Sequence, residues 1–313
     1  MRGGGDAETR RHGDAETWGR GMARRAFWQR LLGRRKPRTV GLALSGGGAR
    51  GLAHIGVLKV LERESLPIHF LAGTSMGGLL AAASAAGFSA AELEQEALAM
   101  GSTRQLIGLL DLTFPRGGLL TGQKAMEYLE RLLGDVTFDR LRIPLAVVAV
   151  DLDRGQKVVI REGSVVEAVR ATTALPGVFA PVRQGDGRLV DGGLLDNLPA
   201  DVVRQMGADV VIAVDAGSDR ETIAAFSEAL HRIPLLPDGI EEMIEVLWRS
   251  MALLTQEVNR RVLAEARPDL LLDLPIPPDI SVLGGLTRAA EVIAIGERAA
   301  EESLPRIREL LDG

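Results

Sequence analysis

The clearest indication of the fold is the segment Ile68-His69-Phe70-Leu71-Ala72-Gly73-Thr74-Ser75-Met76-Gly77-Gly78-Leu79-Leu80. It predicts a short buried strand, a sharp turn, and the start of a helix. Ser75 lies at the apex of the turn, with Gly73 and Gly77 two residues away on either side, which is the G-x-S-x-G spacing of a nucleophile elbow. A Cβ at either glycine would collide with the adjoining strand or helix. The stretch therefore predicts a serine held in a strained strand-to-helix turn.

A glycine-rich turn precedes this stretch and completes a β-α-β unit. The turn is Ser45-Gly46-Gly47-Gly48-Ala49-Arg50-Gly51, and it follows an apolar run at residues 39–44. An apolar, periodic helix is predicted after it, at residues 52–64. Strand, turn, helix and strand within about 40 residues imply a parallel sheet.

The glycine-rich turn has two competing uses. Gly46, Gly48 and Gly51 fit the dinucleotide fingerprint G-x-G-x-x-G, which needs an acidic residue at the end of the second strand. That strand instead runs directly into Ser75, so we favour an oxyanion hole built from backbone N–H groups. Arg50 has three open interpretations: it stiffens the loop, it lies near the developing charge, or it forms a surface ion pair.

A serine nucleophile needs a base, and the histidines of the chain do not supply a convincing one. His54 is expected to be a core residue, His69 lies before the elbow strand at its far end, and His231 has no motif around it. Asp191 follows the apolar pair Leu189-Val190 and precedes two glycines, Gly192 and Gly193. The dipeptide Asp-Gly also favours a plain hairpin turn. A buried strand end is, however, an unfavourable place for a carboxylate that has no role, because burying a charge costs free energy. Since Ser75 needs a base, Asp191 is the preferred candidate.

Asp215 is a rival for the base, since it ends another apolar strand predicted at residues 209–214. Carboxylates at strand ends often cap the following turn, so Asp215 ranks below Asp191. Farther on, the sequence predicts a long helix with one apolar face and closing helices broken near Pro305. The residues of the apolar face are Ile240, Ile244, Leu247, Met251, Leu254 and Val258. We expect this face to pack on the sheet, with a lipid-sensing cover or a partner surface as alternatives.

Composition excludes several classes of protein. The chain has 313 residues, of which 46% are hydrophobic and 25% charged, and a formal net charge of −5, so a dedicated nucleic-acid binder is not expected. The sequence contains no run of 18 apolar residues, so a membrane-spanning helix is not predicted. The chain has no cysteine and only four scattered histidines, so we expect neither a disulfide nor a metal site. These features favour a cytoplasmic protein.

Residues 1–38 differ in composition from the rest, and the folded domain is predicted at 39–313. Residues 1–21 contain the repeat Gly-Asp-Ala-Glu-Thr and predict disorder, and Met22 is an alternative start of translation. Residues 22–38 carry seven arginines and lysines, no acid, and interleaved apolar residues. This pattern fits either a solvated basic tail or a helix that lies on an anionic membrane, and the latter would make the protein peripheral at the inner membrane surface.

Together, the three glycine-rich stretches resemble the patatin-like phospholipase family, and most closely its compact bacterial branch. The similar motifs are the glycine-rich loop at 45–51, the G-x-S-x-G turn at 73–77 and the D-G-G turn at 191–193, with a further similar segment at 171–181. The resemblance covers about residues 40–217, excludes 1–38, and follows 218–313 only in outline. It implies a three-layer α/β/α fold with a mainly parallel central sheet, a Ser75–Asp191 dyad, and no metal or organic cofactor.

We therefore expect a serine acyl hydrolase that cleaves the ester bonds of phospholipids or lysophospholipids. Ser75 would attack the ester, Asp191 would take its proton, and the N–H groups of Gly46, Gly47 and Gly48 would hold the oxyanion. The alternatives are a carboxylesterase or thioesterase acting on soluble acyl groups, and a non-catalytic adaptor on a hydrolase fold. The lipid head group and the oligomeric state are not predicted by the sequence.

Overall fold

A computed structural model of the protein describes residues 38–101, 118–217, 240–280 and 284–312. The chain from Thr39 onward forms one compact unit. The predictions made for the basic tail, for its membrane contact and for His231 fall outside the described residues. No helix within the described ranges is both long and apolar enough to cross a bilayer.

The strands predicted at residues 39–44 and 209–214 are confirmed, with boundaries that shift by one residue. In chain order the strands are β1 (Val40–Leu44), β2 (Phe70–Thr74), β3 (Gly118–Leu120), β4 (Leu145–Asp151), β5 (Gln156–Ile160), β6 (Gly177–Phe179), β7 (Val182–Gln184), β8 (Gly187–Asp191), β9 (Val210–Asp215) and β10 (Leu270–Asp273). The main sheet has the order β10-β9-β1-β2-β4-β8-β7, with β5 paired to β4 off this path. From β10 to β4 all pairs are parallel, whereas β5, β8 and β7 pair antiparallel.

Helices cover both faces of this sheet. In chain order they are α1 (Ala53–Arg63), α2 (Met76–Ala86), α3 (Ala90–Met100), α4 (Gln123–Leu133), α5 (Val165–Thr172), α6 (Ala200–Gln205), α7 (Ile240–Ala266) and α8 (Ala289–Asp312). Side chains alternate between the faces along each strand. Thus Leu42 and Leu44 of β1 belong to the larger core cluster, with α1, α2, α3, α5 and α8. Ala43 between them belongs to a smaller cluster with α6. The predicted three-layer α/β/α fold is confirmed.

Two strands meet end to end along one edge of β4. β2 runs parallel to β4 up to the pair Thr74–Val148, and β8 runs antiparallel to it up to the pair Asp191–Ala149. β5 occupies the opposite edge of β4 at these same residues, so β8 must share the edge that β2 uses. The last residue of β2, Thr74, therefore lies next to the last residue of β8, Asp191, because the two pair with consecutive residues of β4. This register brings the serine turn and the Asp191 turn together.

One prediction for the C-terminal part of the chain is wrong, and a second is contradicted at one residue. The closing helix does not break near Pro305, because α8 continues through that proline to Asp312. Ile307, two residues later, is buried in the larger core, and its burial offsets the hydrogen bond that the proline removes. Leu254 of α7 is 69% exposed and does not pack on the sheet. The burial of Ile240, Ile244 and Leu247 falls outside the described side chains.

A pair of glycines lets α1 and α8 approach backbone to backbone. A Cβ built on Gly56 of α1 would lie 2.0 Å from the carbonyl oxygen of Ile293, and one built on Gly296 of α8 would lie 1.9 Å from that of Ala53. Real Cβ atoms do not come this close to a carbonyl oxygen, so any side chain here would force the helices apart. The α1–α8 contact helps to close the larger core above β1.

We expect Gly296→Ala to lower the free energy of unfolding by about 3 kcal/mol, the upper end of the usual cost of overpacking. The gain in helix propensity from glycine to alanine, about 1 kcal/mol, is smaller than this cost. Urea unfolding of the variant measures the effect. Ala290→Ser, which adds one atom at an exposed position of the same helix, is the control. Equal stability of the two variants would contradict the close approach of the helices.

Candidate active site

The turn around Ser75 has the strained geometry that the glycine spacing predicts. Ser75 joins β2 to α2 with φ +53° and ψ −124°, a backbone conformation that L-residues rarely adopt. A Cβ on Gly73 would lie 2.4 Å from the carbonyl oxygen of Gly77, and one on Gly77 would lie 2.3 Å from that of Leu44. Both glycines are thus required by the close approach of strand and helix. The first turn of α2 directs its N–H groups toward the Ser75 side of the sheet.

Thr172, at the end of α5, holds the backbone of Ser75. Its hydroxyl accepts a hydrogen bond from the Ser75 N–H at 2.8 Å and donates one to the carbonyl oxygen of Val148 on β4. Thr172 is completely buried, so water cannot replace either partner. Sequence reasoning included Thr172 only as a member of the similar segment at 171–181 and gave it no role. The strain at Ser75 is therefore stabilised by a hydroxyl that belongs to a distant part of the sequence.

We expect Thr172→Val to lower the turnover rate by about ten- to a hundredfold. The substitution keeps the shape of the side chain but removes both hydrogen bonds, so Ser75 would lose its fixed position, and small misplacements of a reacting group cost rates of this order. Steady-state hydrolysis of an ester measures the loss. Thr172→Ser keeps the hydroxyl and should retain most of the activity. Equal losses in the two variants would mean that packing, not the hydrogen bonds, is the role of Thr172.

Asp191 lies at the end of β8, where the sheet register brings it against the serine turn. Its carboxylate accepts a hydrogen bond from the N–H of Gly193 at 2.8 Å, and the Ser75 side chain lies close enough to it to lower the pKa of Asp191. Only 4% of Asp191 is exposed. Burial raises the pKa of Asp191 to about 6, and the interactions with the Ser75 side chain and the Gly193 N–H oppose this rise. A Cβ on Gly192 would lie 2.3 Å from the Val148 carbonyl oxygen, so this turn also tolerates only glycine.

The glycine-rich loop lies directly against Ser75, but its N–H groups are not equivalent. A Cβ on Gly46 would lie 3.1 Å from the Cβ of Ser75. The N–H of Gly46 donates to the carbonyl oxygen of Asn197 at 3.1 Å. An N–H that is already paired with a carbonyl cannot also hold an oxyanion, so the expectation for Gly46 requires correction. Gly47, which precedes the 3₁₀ turn Gly48–Leu52, and Gly48, which begins it, are left as the candidate donors of this loop.

Arg50 is buried, and the interpretation as a surface ion pair is wrong. Only 1% of the residue is exposed, and its guanidinium donates hydrogen bonds to backbone carbonyl oxygens of two separate segments. These acceptors belong to Ala216, Ile276, Pro277 and Ile280, at distances of 3.1 to 3.3 Å. Arg50 thus fixes the glycine-rich loop to the residues after β9 and β10. Gly51 lets the loop pack on the elbow, since a Cβ there would lie 2.7 Å from the Cγ of Met76.

The other candidate bases have different structural roles. His54 is fully buried, its Nε2 donates to the Ser45 carbonyl oxygen at 2.9 Å, and burial lowers its pKa to about 4. His69 accepts a hydrogen bond from the Val40 N–H at the opposite end of the sheet. The Asp215 carboxylate accepts one from the Gly217 N–H and caps the turn after β9. Among the residues that the structure describes, no cluster of His, Asp and Glu could hold a metal ion.

A serine in a strained strand-to-helix turn, next to a buried aspartate and faced by a glycine-rich loop, is typical of a serine acyl hydrolase. The family model for patatin-like phospholipases matches residues 42–204. The chain belongs to the patatin-like phospholipase family, a family of lipid acyl hydrolases, as the resemblance of its motifs predicts.

Curated relatives match more than half of the chain. Patatin-like phospholipase domain-containing protein 6 of Mus musculus is 39% identical over 197 residues, which are 61% of this chain and 14% of the mouse protein. An uncharacterized NTE family protein of Mycobacterium bovis is 40% identical over 186 residues, 59% of this chain and 51% of that protein. The chain thus spans about half or much less of these relatives. The crystal structure of VipD from Legionella pneumophila aligns with 89% of this chain and 67% of its own, at 13% identity and a TM-score of 0.43.

Proposed function

We propose that the protein hydrolyses the carboxylic ester bonds of phospholipids or lysophospholipids through a dyad of Ser75 and Asp191. The observation that carries this proposal is that the sheet register brings the Ser75 turn against the buried Asp191, at the point where β2 and β8 meet, with the Ser75 side chain close enough to lower the pKa of Asp191. Membership of the patatin-like phospholipase family supports a lipid ester as the substrate.

The first half of the proposed reaction transfers the acyl group to the enzyme. The Ser75 Oγ attacks the carbonyl carbon of the ester while its proton passes to a carboxylate oxygen of Asp191. The carbonyl oxygen becomes an oxyanion, which the N–H groups of Gly47 and Gly48 stabilise at the positive end of α2. The intermediate then collapses, the bond to the alcohol oxygen breaks, and the leaving alcohol takes the proton from Asp191. The products of this half are the free alcohol and an ester of Ser75.

The second half repeats the sequence with water as the nucleophile. Asp191 takes a proton from the water as it attacks the acyl carbon, and the oxyanion forms again. Collapse breaks the bond to the Ser75 Oγ, which recovers the proton, and the fatty acid is released. A carboxylate at its usual pKa of about 4 is a weak base at neutral pH. The raised pKa of Asp191, about 6, makes it a better match for proton transfer near neutrality.

Hydrolysis of three substrates by the purified protein tests the proposal: a diacyl phospholipid in micelles, a lysophospholipid, and a short-chain ester that stays in solution. We expect release of fatty acid from either lipid, lost in Ser75→Ala. Hydrolysis of the soluble ester alone would favour the carboxylesterase alternative. No hydrolysis of any ester, together with no reaction of Ser75 with a fluorophosphonate, would favour the adaptor and overturn the proposal.

A further inference from the structure

The side chain of Asn259, near the C-terminal end of α7, lies against the turn that carries Asp191. Its Oδ1 accepts a hydrogen bond from the N–H of Asn197 at 2.7 Å, and its Nδ2 donates one to the carbonyl oxygen of Gly193 at 2.9 Å. A backbone N–H only donates and a carbonyl oxygen only accepts, so the orientation of the Asn259 amide is determined by its two partners. The Asn259 side chain thus links residue 193 to residue 197 through two hydrogen bonds.

Each of these two hydrogen bonds connects Asn259 to one part of the proposed catalytic site. Gly193, whose carbonyl oxygen binds Asn259, donates its own N–H to the Asp191 Oδ1 at 2.8 Å. Asn197, whose N–H binds Asn259, accepts the N–H of Gly46 on its carbonyl oxygen at 3.1 Å. One side chain of α7 is thus a single hydrogen-bonded step away from both the proposed base and the glycine-rich loop.

We propose that Asn259 is a positioning residue that fixes the Asp191 turn and the glycine-rich loop relative to each other. The inference rests on the proposed function, since it concerns the geometry of that same site. Asn259 lies outside the residues matched by the family model, 42–204, and sequence reasoning gave it no role. In the sequence it is one polar residue among several on a long helix, so no local pattern distinguishes it.

The chemical consequence is a specific kinetic one. Asn259 binds only backbone groups of Gly193 and Asn197, and through them it positions Asp191 and the glycine-rich loop. Loss of the Asn259 side chain should therefore disturb proton transfer and oxyanion binding more than the binding of substrate. The turnover rate should then fall while the Michaelis constant changes little. A residue that only stabilised the fold would lower the amount of folded enzyme instead and leave the kinetics of the folded fraction unchanged.

The test uses two variants of the full chain. Asn259→Leu keeps the approximate size of the side chain and removes both hydrogen bonds. Asn259→Asp keeps the acceptor for the Asn197 N–H and loses the donor to the Gly193 carbonyl oxygen, so it provides a second answer if the leucine variant does not fold. Gln256→Leu is the control, because Gln256 is exposed on the same helix three residues earlier. The measurements are kcat and KM for a lipid ester, the rate of fluorophosphonate labelling of Ser75, and urea unfolding.

We expect both Asn259 variants to lower kcat and the labelling rate by about ten- to a hundredfold, with KM within about twofold of the wild type. Gln256→Leu should match the wild type. Kinetics of the folded Asn259 variants equal to those of Gln256→Leu would overturn the positioning role, even if their stability were lower. Failure of the wild-type protein itself to label at Ser75 would be a different result, because it would overturn the proposed function on which this inference rests.

Discussion

Replacing Ser75 by alanine should abolish ester hydrolysis and remove all labelling by a fluorophosphonate. The proposed mechanism has no other nucleophile, and the loss of a serine that forms the acyl-enzyme reduces turnover by about 10⁴-fold or more in enzymes of this kind. Labelling followed by mass spectrometry of the modified peptide measures the effect directly. Ser84→Ala, on the same helix α2, is the matched control and should label as the wild type does.

A second variant at the same position tests the strain in the turn. Ser75 has φ +53°, which glycine adopts at little cost and which costs other residues about 1–3 kcal/mol. Ser75→Gly should therefore be as inactive as Ser75→Ala but more stable toward urea by about 1 kcal/mol or more. Full activity in either variant would remove Ser75 from the mechanism. Equal stability of the two would mean that the turn relaxes without the hydroxyl.

Replacing Asp191 by asparagine should lower the rate by about 10²–10⁴-fold, the usual contribution of a general base. The amide keeps the shape of the side chain, and its oxygen can still accept the Gly193 N–H, but it cannot take the proton of Ser75. Labelling of Ser75 should be slowed to a similar degree. The wild-type kcat/KM should rise with pH to a plateau above about pH 6, because only the ionised carboxylate acts as the base and its pKa is about 6.

The same substitution should stabilise the folded protein at neutral pH. Between about pH 4 and 6 the carboxyl of Asp191 is ionised in the unfolded chain but still protonated in the folded protein, so the stability of the wild type falls as the pH rises. Above pH 6 the loss of unfolding free energy caused by burial of the charged carboxylate is constant. The rise in the pKa of Asp191 from 3.8 to about 6 corresponds to a loss of about 3 kcal/mol. Asp191→Asn carries no such penalty. Urea unfolding at pH 4 and pH 7 measures the difference, which should be near zero at the lower pH.

A stable but inactive Asp191→Asn would support a trade-off between stability and function at this position. An asparagine variant less stable than the wild type at pH 7 would contradict the burial argument. Retained activity with unchanged pH dependence would contradict the assignment of the base. The two outcomes are independent, since one measures the folded state alone and the other measures turnover.

The central part of the fold could be predicted from local sequence because its signals are local. Small residues at 73 and 77 show where strand and helix must touch, and the apolar runs before Ser75 and Asp191 identify buried strand ends. The pairing of Ser75 with Asp191 could be predicted only from the need for a base and from the family resemblance. Its physical cause is the register of β2 and β8 on β4, which depends on residues more than a hundred positions apart.

The polar residues that support the site could not be predicted, because each acts through a backbone group of a distant segment. Thr172 binds the N–H of residue 75, Asn259 binds residues 193 and 197, and Arg50 binds carbonyl oxygens after residue 215. Nothing in the local sequence around these side chains shows which backbone they meet. The same applies to Gly46, whose N–H is used by a carbonyl oxygen that sequence alone does not place nearby.

The order of the strands also determines how far the chain can be shortened before the central sheet loses a strand next to β1. The match to the family model ends at residue 204, yet β9, which follows it, pairs with every residue of β1 on the side opposite β2. A fragment cut at 204 would expose the backbone of β1 to other chains, as an unprotected edge strand does. It would also leave the Arg50 charge in an apolar interior without its carbonyl partners. The end of the family-model match therefore lies inside a cooperative folding unit, and chimeras between relatives need their junctions elsewhere.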